Sequence, residues 1–181
     1  MTTRIYGPFS IEHHKAIYTD YNDPTALVNG SVNALLADTV DDDATTDVIV
    51  GTSSGRVSAH DGLDGSVLVG RVFTVETLAQ FAQQKQAAEV THLAGIPING
   101  KLHYAVGTDE KSAYVYVLDK NFTVVRQWTK PISASVNWID AGQDLNGDGV
   151  KDVVVTFDAN RIYALSGVDW TTLPNLSLIH I

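Results

Sequence analysis

The sequence predicts an all-β fold, a partial β-propeller of about three four-stranded blades with one short helical insertion. Three observations predict it. A unit of short apolar strands recurs three times. The second strand of each unit is apolar on consecutive positions. Tight polar turns separate the strands. "DVIVGTSSGRVSAHD" (47–61), "HYAVGTDEKSAYVYVLD" (103–119) and "DVVVTFDANRIYALSG" (152–167) all run strand, turn, strand. Aligned on positions 47, 103 and 152, they lie 56 and 49 residues apart. Consecutive β-branched residues at Val48, Ile49, Val50 and at Val153, Val154, Val155 suit a strand buried on both faces, as when sheets stack. A β-sandwich is the rival architecture.

Taken in order, residues 1–30 are a lead-in or the remnant of a preceding blade. His13 and His14 are adjacent there, and neighbouring side chains of a strand point to opposite faces, so both read as surface residues. Blade 1 covers 31–73, from "SVNALLAD" (31–38) to "GSVLVGRVF" (65–73). Residues 74–89, "TVETLAQFAQQKQAAE", are rich in Ala, Gln and Leu and read as the helical insertion. Val75, Leu78, Ala79 and Ala82 give it a modest apolar stripe. Blade 2 covers 90–130, with "EVTHLAGI" (89–96) at its start and "FTVVRQWTK" (122–130) at its end. Blade 3 covers 131–175. It opens on "SVNWIDAG" (135–142), shares "SVN" with blade 1 as a register mark, and has only "VDWTTL" (168–173) for a fourth strand, so it is expected to be incomplete. The closing "LSLIHI" (176–181) resembles a translated sequencing adapter and is set aside as a non-native tail, which removes His180 from consideration as a ligand. Three blades do not close a ring, so the expectation is a fragment of a larger protein.

Composition narrows the function classes. The 181 residues are 44% hydrophobic, enough for a packed core. Twelve basic against 21 acidic residues leave a net charge of −9. No basic run is present to neutralise phosphates, so nucleic acid is not an expected partner. There is no cysteine, hence neither disulfides nor thiolate chemistry. No apolar run reaches the length of a membrane span. No G-x-S-x-G elbow, H-E-x-x-H or P-loop pattern occurs. His60, His92 and His103 are isolated and read as satisfied or solvent-facing. Asn29 and Asn121 fit the glycosylation sequon, a match common by chance.

The stretch "DLNGDGVKDVVV" (144–155) carries the most chemistry. Ca²⁺ takes about six to eight oxygen ligands. Alternate positions of a tight loop can turn toward one point, here Asp144, Asn146, Asp148, Val150 through its carbonyl, and Asp152. Gly147 and Gly149 permit the winding. An EF-hand is excluded, because position 12 would be Val155 rather than Glu and a strand follows. Asn-Gly and Asp-Gly turns explain residues 146–149 but not Asp144 and Asp152. The same register in the first repeat selects Asp41, Asp43, Thr45 and Asp47, with Thr39 at the first position and Asp38 or Asp42 available to substitute. That loop lacks glycine. The middle repeat holds Gly95, Pro97, Asn99 and His103 there, without a carboxylate, so no hard-metal site is expected in it.

"DLNGDGVKDVVV" resembles the calcium loop of FG-GAP/VCBS-type propeller repeats, as in integrin α-subunit heads. The FG and GAP signature itself is absent, which keeps the likeness to the broad class. The resemblance implies structural Ca²⁺ loops that pin the turn between the first two strands. "SAHDGLDGSVLVG" (58–70) is similar to the blade-closing motif of quinoprotein-like (PQQ-type) propellers: Ala59, Asp61 and Gly65 match, although no Trp follows. Trp128 ends a similar stretch in the second repeat. The expected function is a noncatalytic, calcium-stabilised binding module for an unknown protein or carbohydrate ligand, extracellular or at the cell surface. The alternative is a fragment of a quinoprotein-like, PQQ-dependent dehydrogenase, whose cofactor-clamping residues are not identifiable here.

Overall fold

The computed structural model describes residues 30–41, 43–75, 88–98, 100–109, 114–129, 134–157 and 161–174. Four expectations lie wholly or mostly outside these: the lead-in with His13, His14 and Asn29; Asp42; residues 76–87 of the helical insertion; and the tail from 175. Among the described residues every regular element is a strand.

The first sheet has four antiparallel strands in order, β1 (Val32–Asp38), β2 (Asp47–Thr52), β3 (Arg56–His60) and β4 (Val67–Thr74). The second repeats it with β5 (Val90–Ile98), β6 (Lys101–Thr108), β7 (Tyr114–Leu118) and β8 (Val124–Thr129). The third contains β9 (Val136–Gln143), β10 (Asp152–Phe157) and β11 (Arg161–Leu165). A single bridge, Leu165 to Thr172, stands where a fourth strand would begin.

The expected repeat register is the register of pairing. Val48 pairs with His60, Tyr104 with Leu118 and Val153 with Leu165, so positions 47, 103 and 152 are equivalent. All six residues of β2 are buried, as the consecutive apolar run requires. The shared "SVN" has a structural cause. Each first strand carries a register shift at the same place, between Val32 and Ala34, between Val90 and His92, and between Val136 and Trp138. Asn33, Thr91 and Asn137 are the skipped residues of these bulges.

Stacking joins the sheets in chain order. Gly51 of β2 receives Val90: a Cβ built on Gly51 would lie 2.4 Å from Val90 Cγ1. Gly107 of β6 receives Val136 in the same way, at 2.6 Å. Glycine is needed at both sockets because a neighbouring strand closes on its backbone. The bulged residues add lateral bonds. Asn33 Nδ2 donates to Glu89 Oε2 (3.2 Å), and Thr91 Oγ1 donates to the Val136 carbonyl (2.6 Å).

Two apolar clusters fill the gaps. Between sheets one and two lie Ile49, Val57, Ala59, Val90, Leu93, Tyr104, Val106 and Phe122. Between sheets two and three lie Ile96, Val115, Val117, Trp128, Ile139, Val155, Phe157 and Tyr163. Trp128, matched at sequence level to a blade-closing position, packs its ring 5.4 Å from Tyr163 and 5.9 Å from Phe157.

The turns after the third strands share one left-handed residue. It is Gly65 in the first sheet (φ 78°), Phe122 in the second (φ 61°) and Trp170 after β11 (φ 65°). An L-residue there costs about 1–2 kcal/mol. Phe122 and Trp170 are buried in the clusters, and burying an aromatic side chain returns more than that strain.

Candidate functional site

Both Asp-rich loops connect the first and second strands of a sheet, at the same end of the repeat. The middle repeat has no such loop. There β5 and β6 run on until Ile98 pairs with Lys101, and the hairpin closes through Gly100 (φ 70°).

Asp47 and Asp152, at the start of β2 and β10, have matching environments. They are 0% and 1% exposed. Asp152 Oδ2 accepts the N–H of Leu145 (2.7 Å) and of Asn146 (3.2 Å), and its Oδ1 accepts that of Gly167 (2.9 Å). Asp47 Oδ2 accepts Val40 N–H (2.8 Å) and Asp41 N–H (3.4 Å), and its Oδ1 accepts Gly62 N–H (3.0 Å). The donors sit at the same chain separations in both, 7, 6 and 15 residues. Each carboxylate ties its own loop to the turn after the third strand. Three of about four lone-pair sites are thereby engaged.

Gly62 and Gly167 complete this clasp. A Cβ on Gly62 would stand 1.9 Å from the Thr46 carbonyl oxygen, and one on Gly167 2.0 Å from that of Lys151. Sequence reading assigned neither glycine a role. The available signal was an Asp followed 15 residues later by Gly in both loop-bearing repeats.

Within the 144–152 loop the oxygens face the loop's own backbone. Asp144 Oδ1 accepts Gly147 N–H (2.7 Å) and Asp148 N–H (3.2 Å), and Oδ2 accepts Gly149 N–H (2.7 Å). Asn146 Oδ1 accepts Asp148 N–H (2.9 Å) while its Nδ2 donates to Asp148 Oδ2 (2.9 Å). Asp148 Oδ1 accepts Val150 N–H (2.8 Å). These bonds, led by that from Gly149 N–H, hold the Asp144 carboxyl below the usual carboxylate range. Gly147 (φ 81°) and Gly149 (φ 85°) supply the winding, as the spacing predicts.

The first loop copies that backbone without its glycines. Asp43 N–H donates to Asp41 Oδ1 (3.1 Å) and Thr45 N–H to Asp43 Oδ1 (2.7 Å), matching the Asn146 and Asp148 bonds. Ala44 takes the left-handed conformation (φ 65°) at the position equivalent to Gly149.

A third carboxylate joins this loop from outside it. Oxygens of Asp41, Asp43 and Asp61 all lie within 4.8 Å of one another. Two oxygens bound to one Ca²⁺ at about 2.3–2.6 Å can be no further apart than about 5 Å, so this set fits a single hard cation. It is the one such group among the described residues. Asp61 follows β3 and was noted in sequence only for its place in the blade-closing motif.

Within the trio, Asp41 and Asp43 perturb each other. The N–H of Asp43 pulls the Asp41 carboxyl down. Desolvation and the neighbouring Asp43 and Asp47 carboxylates outweigh it, so Asp41 sits above its ordinary value. Asp43 is held below, first by Thr45 N–H. Two carboxylates pushed apart in this way mark like charge crowded into a small volume.

The histidines have separate roles. His60 is 1% exposed. Its Nδ1 lies 3.3 Å from the Gly65 carbonyl, which can only accept, so Nδ1 carries the proton and Nε2 faces the Ser58 hydroxyl at 3.1 Å. His103 lies on the exposed side with Nδ1 2.9 Å from the Lys101 carbonyl. His92 packs against Trp138, ring centroids 4.7 Å apart and planes tilted by 39°.

No family model matches this sequence, and no curated protein does. Solved structures do. BBS1N in complex with ARL6DN, in a crystal soaked with mercury, superposes with a TM-score of 0.61 at 12% identity, over 81% of this chain and 44% of that one. The lead-soaked crystal of the same complex gives 0.57 at 12% identity, over 80% and 42%. BamB from Moraxella catarrhalis gives 0.46 at 17% identity, over 80% and 36%. The chain spans less than half the length of each. At such identity the likeness concerns the fold. Three stacked antiparallel sheets and the BBS1N superposition define a partial β-propeller.

Proposed function

We propose that the chain is a noncatalytic β-propeller interaction module braced by calcium at its strand-connecting loops, part of a larger extracellular or cell-surface protein. The observation that carries the calcium reading is the convergence of Asp41, Asp43 and Asp61 within 4.8 Å. A cation there would offset the desolvation and the like-charge repulsion that raise Asp41, and would join the β1–β2 loop to the β3–β4 turn. Thr45 belongs to the same loop and can add its carbonyl. Asp47 already clasps the loop and has about one lone-pair site left for an ion.

The 144–152 loop is a second, less prepared site in this reading. Its donor types suit Ca²⁺, but Asp144, Asn146 and Asp148 would have to release N–H bonds and turn their oxygens inward. The ion would act as a structural brace, binding the folded form and stabilising it by mass action. Support for protein docking comes from the fold neighbour BBS1N, crystallised in complex with ARL6DN.

The test is thermal unfolding with and without calcium. A site with a Kd of about 1 mM, in about 10 mM Ca²⁺, stabilises by about 1.4 kcal/mol. The melting temperature is expected to rise by a few degrees over that in EDTA. Asp43→Asn should remove most of the rise, and Asp148→Asn less of it. A melt indifferent to calcium would refute the brace.

A further inference from the structure

We infer that Asn146 is a covalent modification site: the Asn146–Gly147 pair loses ammonia to become Asp or isoaspartate, and the Asp144 carboxylate restrains the step. The chemistry belongs to the dipeptide. The Gly147 amide nitrogen gives up its proton to water and attacks Asn146 Cγ. The N–Cγ bond forms, the Cγ–Nδ2 bond breaks, and Nδ2 leaves as ammonia, taking a proton back from water. Water then opens the succinimide ring, at Cγ to give Asp or at the backbone carbonyl to give isoaspartate. Glycine favours the attack because it has no Cβ in the way. Both residues are exposed, so water reaches them, and nothing lies within 4 Å of where a Cβ on Gly147 would stand.

The restraint is read from where the glycine N–H groups go. Among the described residues four Asp or Asn residues precede a glycine, and in each pair the glycine N–H is taken. Gly62 donates to Asp47 Oδ1, Gly65 to the Asp61 carbonyl, Gly147 to Asp144 Oδ1 (2.7 Å) and Gly149 to Asp144 Oδ2 (2.7 Å). Of the four, Asn146 alone carries an amide that can leave as ammonia. The bond from Gly147 N–H to Asp144 must break before that nitrogen can attack, and the negative charge beside it opposes loss of the amide proton. The Asn146 side chain is pinned as well. Its Oδ1 accepts Asp148 N–H (2.9 Å) and its Nδ2 donates to Asp148 Oδ2 (2.9 Å). The folded loop thus holds both reacting groups in bonds they must leave, and Asp144 holds the nucleophile.

The product changes what the loop can do. The bond from Nδ2 to Asp148 is lost, and two carboxylates face each other in its place. Position 146 is the register equivalent of Asp41, whose Oδ1 accepts Asp43 N–H as Asn146 Oδ1 accepts that of Asp148. Conversion to Asp therefore gives the 144–152 loop the carboxylate that the first loop has from the start. Isoaspartate instead lengthens the backbone by one methylene and breaks the winding set by Gly147 and Gly149. The gain in cation binding rests on the calcium reading; the modification itself does not.

The test is peptide mapping by mass spectrometry of the chain aged at mildly alkaline pH in EDTA. Mapping separates Asn146 from Asn29 and Asn99, the other Asn residues that precede glycine. Asn146 is expected to convert about tenfold faster in Asp144→Ala than in the parent, the equivalent of one lost bond to a charged acceptor. The parent unfolded in guanidinium chloride should convert at least as fast as that variant. Asp144→Asn keeps an acceptor oxygen without the charge and should fall between, which keeps the test valid if Asp144→Ala folds poorly. Asp41→Ala, in the other loop, should match the parent. An unfolded chain that does not convert at Asn146 would overturn the site. Equal rates in the folded parent and both Asp144 variants would overturn the restraint, as would equal acceleration by Asp41→Ala. Asn146→Asp, the product made directly, should melt below the parent in EDTA and gain more from calcium. A calcium response equal to the parent's would refute the calcium reading of this loop and leave the modification standing.

Discussion

Removing the Asp152 carboxylate should cost far more than removing any exposed acid of its loop. Asp152 accepts three N–H bonds, at 2.7, 3.2 and 2.9 Å, from a 1% exposed position. Bonds to a charged acceptor contribute about 1.5–3 kcal/mol each, and a buried donor left unpaired costs about 1–3 kcal/mol. In Asp152→Ala the fully buried Gly167 N–H is orphaned. The part-buried Leu145 and Asn146 N–H groups can recover water. Counting only the Gly167 bond and its orphaned donor, the loss is about 2.5–6 kcal/mol. Asp152→Asn keeps one acceptor but turns an amide NH₂ toward N–H donors, and should cost about 2–3 kcal/mol. The assay is urea unfolding in EDTA, so that no ion contributes, with unchanged slope as the check that only stability moved. Asp47→Asn should behave alike, because its partners sit at the same separations. A loss below about 0.5 kcal/mol for Asp152→Asn would refute the clasp and return the residue to the ligand set alone.

Three further outcomes follow from the same geometry. Gly167→Ala and Gly62→Ala drive a Cβ to within about 2 Å of a backbone carbonyl; both should lose about 3 kcal/mol or fail to fold, read from the same urea curves. Gly107→Ala should lose about 1–3 kcal/mol by overpacking Val136, and Val136→Ala in the same chain should recover part of it in a double-mutant cycle. His60 is held below its ordinary value by desolvation, with Arg56 acting the same way and the Gly65 carbonyl opposing. Its stabilising effect is therefore present above the unfolded histidine pKa of about 6.5 and lost as pH falls through the lower folded value. Unfolding measured from pH 7.5 to 5 should show that slope in the parent and a flatter one in His60→Gln.

How far the sequence could be read depended on whether a feature was local. The repeat register at 47, 103 and 152 was legible because a strand buried on both faces must be apolar at consecutive positions, as Val48–Val50 are; Val153–Val155 carry the same run, but Val154 is only half-buried, so burial on both faces holds for β2 and not fully for β10. "SVN" was legible as a register mark, and proves to surround a bulge at Asn33 and Asn137. The loop winding at Gly147 and Gly149 was legible from turn chemistry. Asp61 was not legible as a neighbour of Asp41 and Asp43, because their meeting requires the β2–β3 pairing that sets Val48 against His60. The left-handed position held by Gly65 was hidden in the other repeats, where Phe122 and Trp170 replace glycine and burial offsets the strain.

The hardest case is the final Asp of each loop, because one spacing serves two physical ends. An alternating run of Asp and Asn ahead of a buried strand can direct oxygens at a cation or at backbone N–H groups. Both need short acceptors on a tightly wound loop. What separates them is burial and the position of donors far along the chain. Asp47 and Asp152 are buried and meet Gly62 and Gly167, 15 residues on. Asp41, Asp43 and Asp61 stay at the surface or half-buried, each accepts a local N–H two residues on, from Asp43, Thr45 and Leu63, and their oxygens converge within 4.8 Å. The two groups therefore divide the labour. The buried carboxylates hold the loops without help from an ion, and the outer trio is where an ion would add to that hold. Calcium dependence should accordingly be partial: the apo chain keeps its fold through the clasps, and calcium raises its melting temperature without being required for folding. A chain that unfolds on adding EDTA would break this division, because the clasps would then be too weak to hold the loops alone.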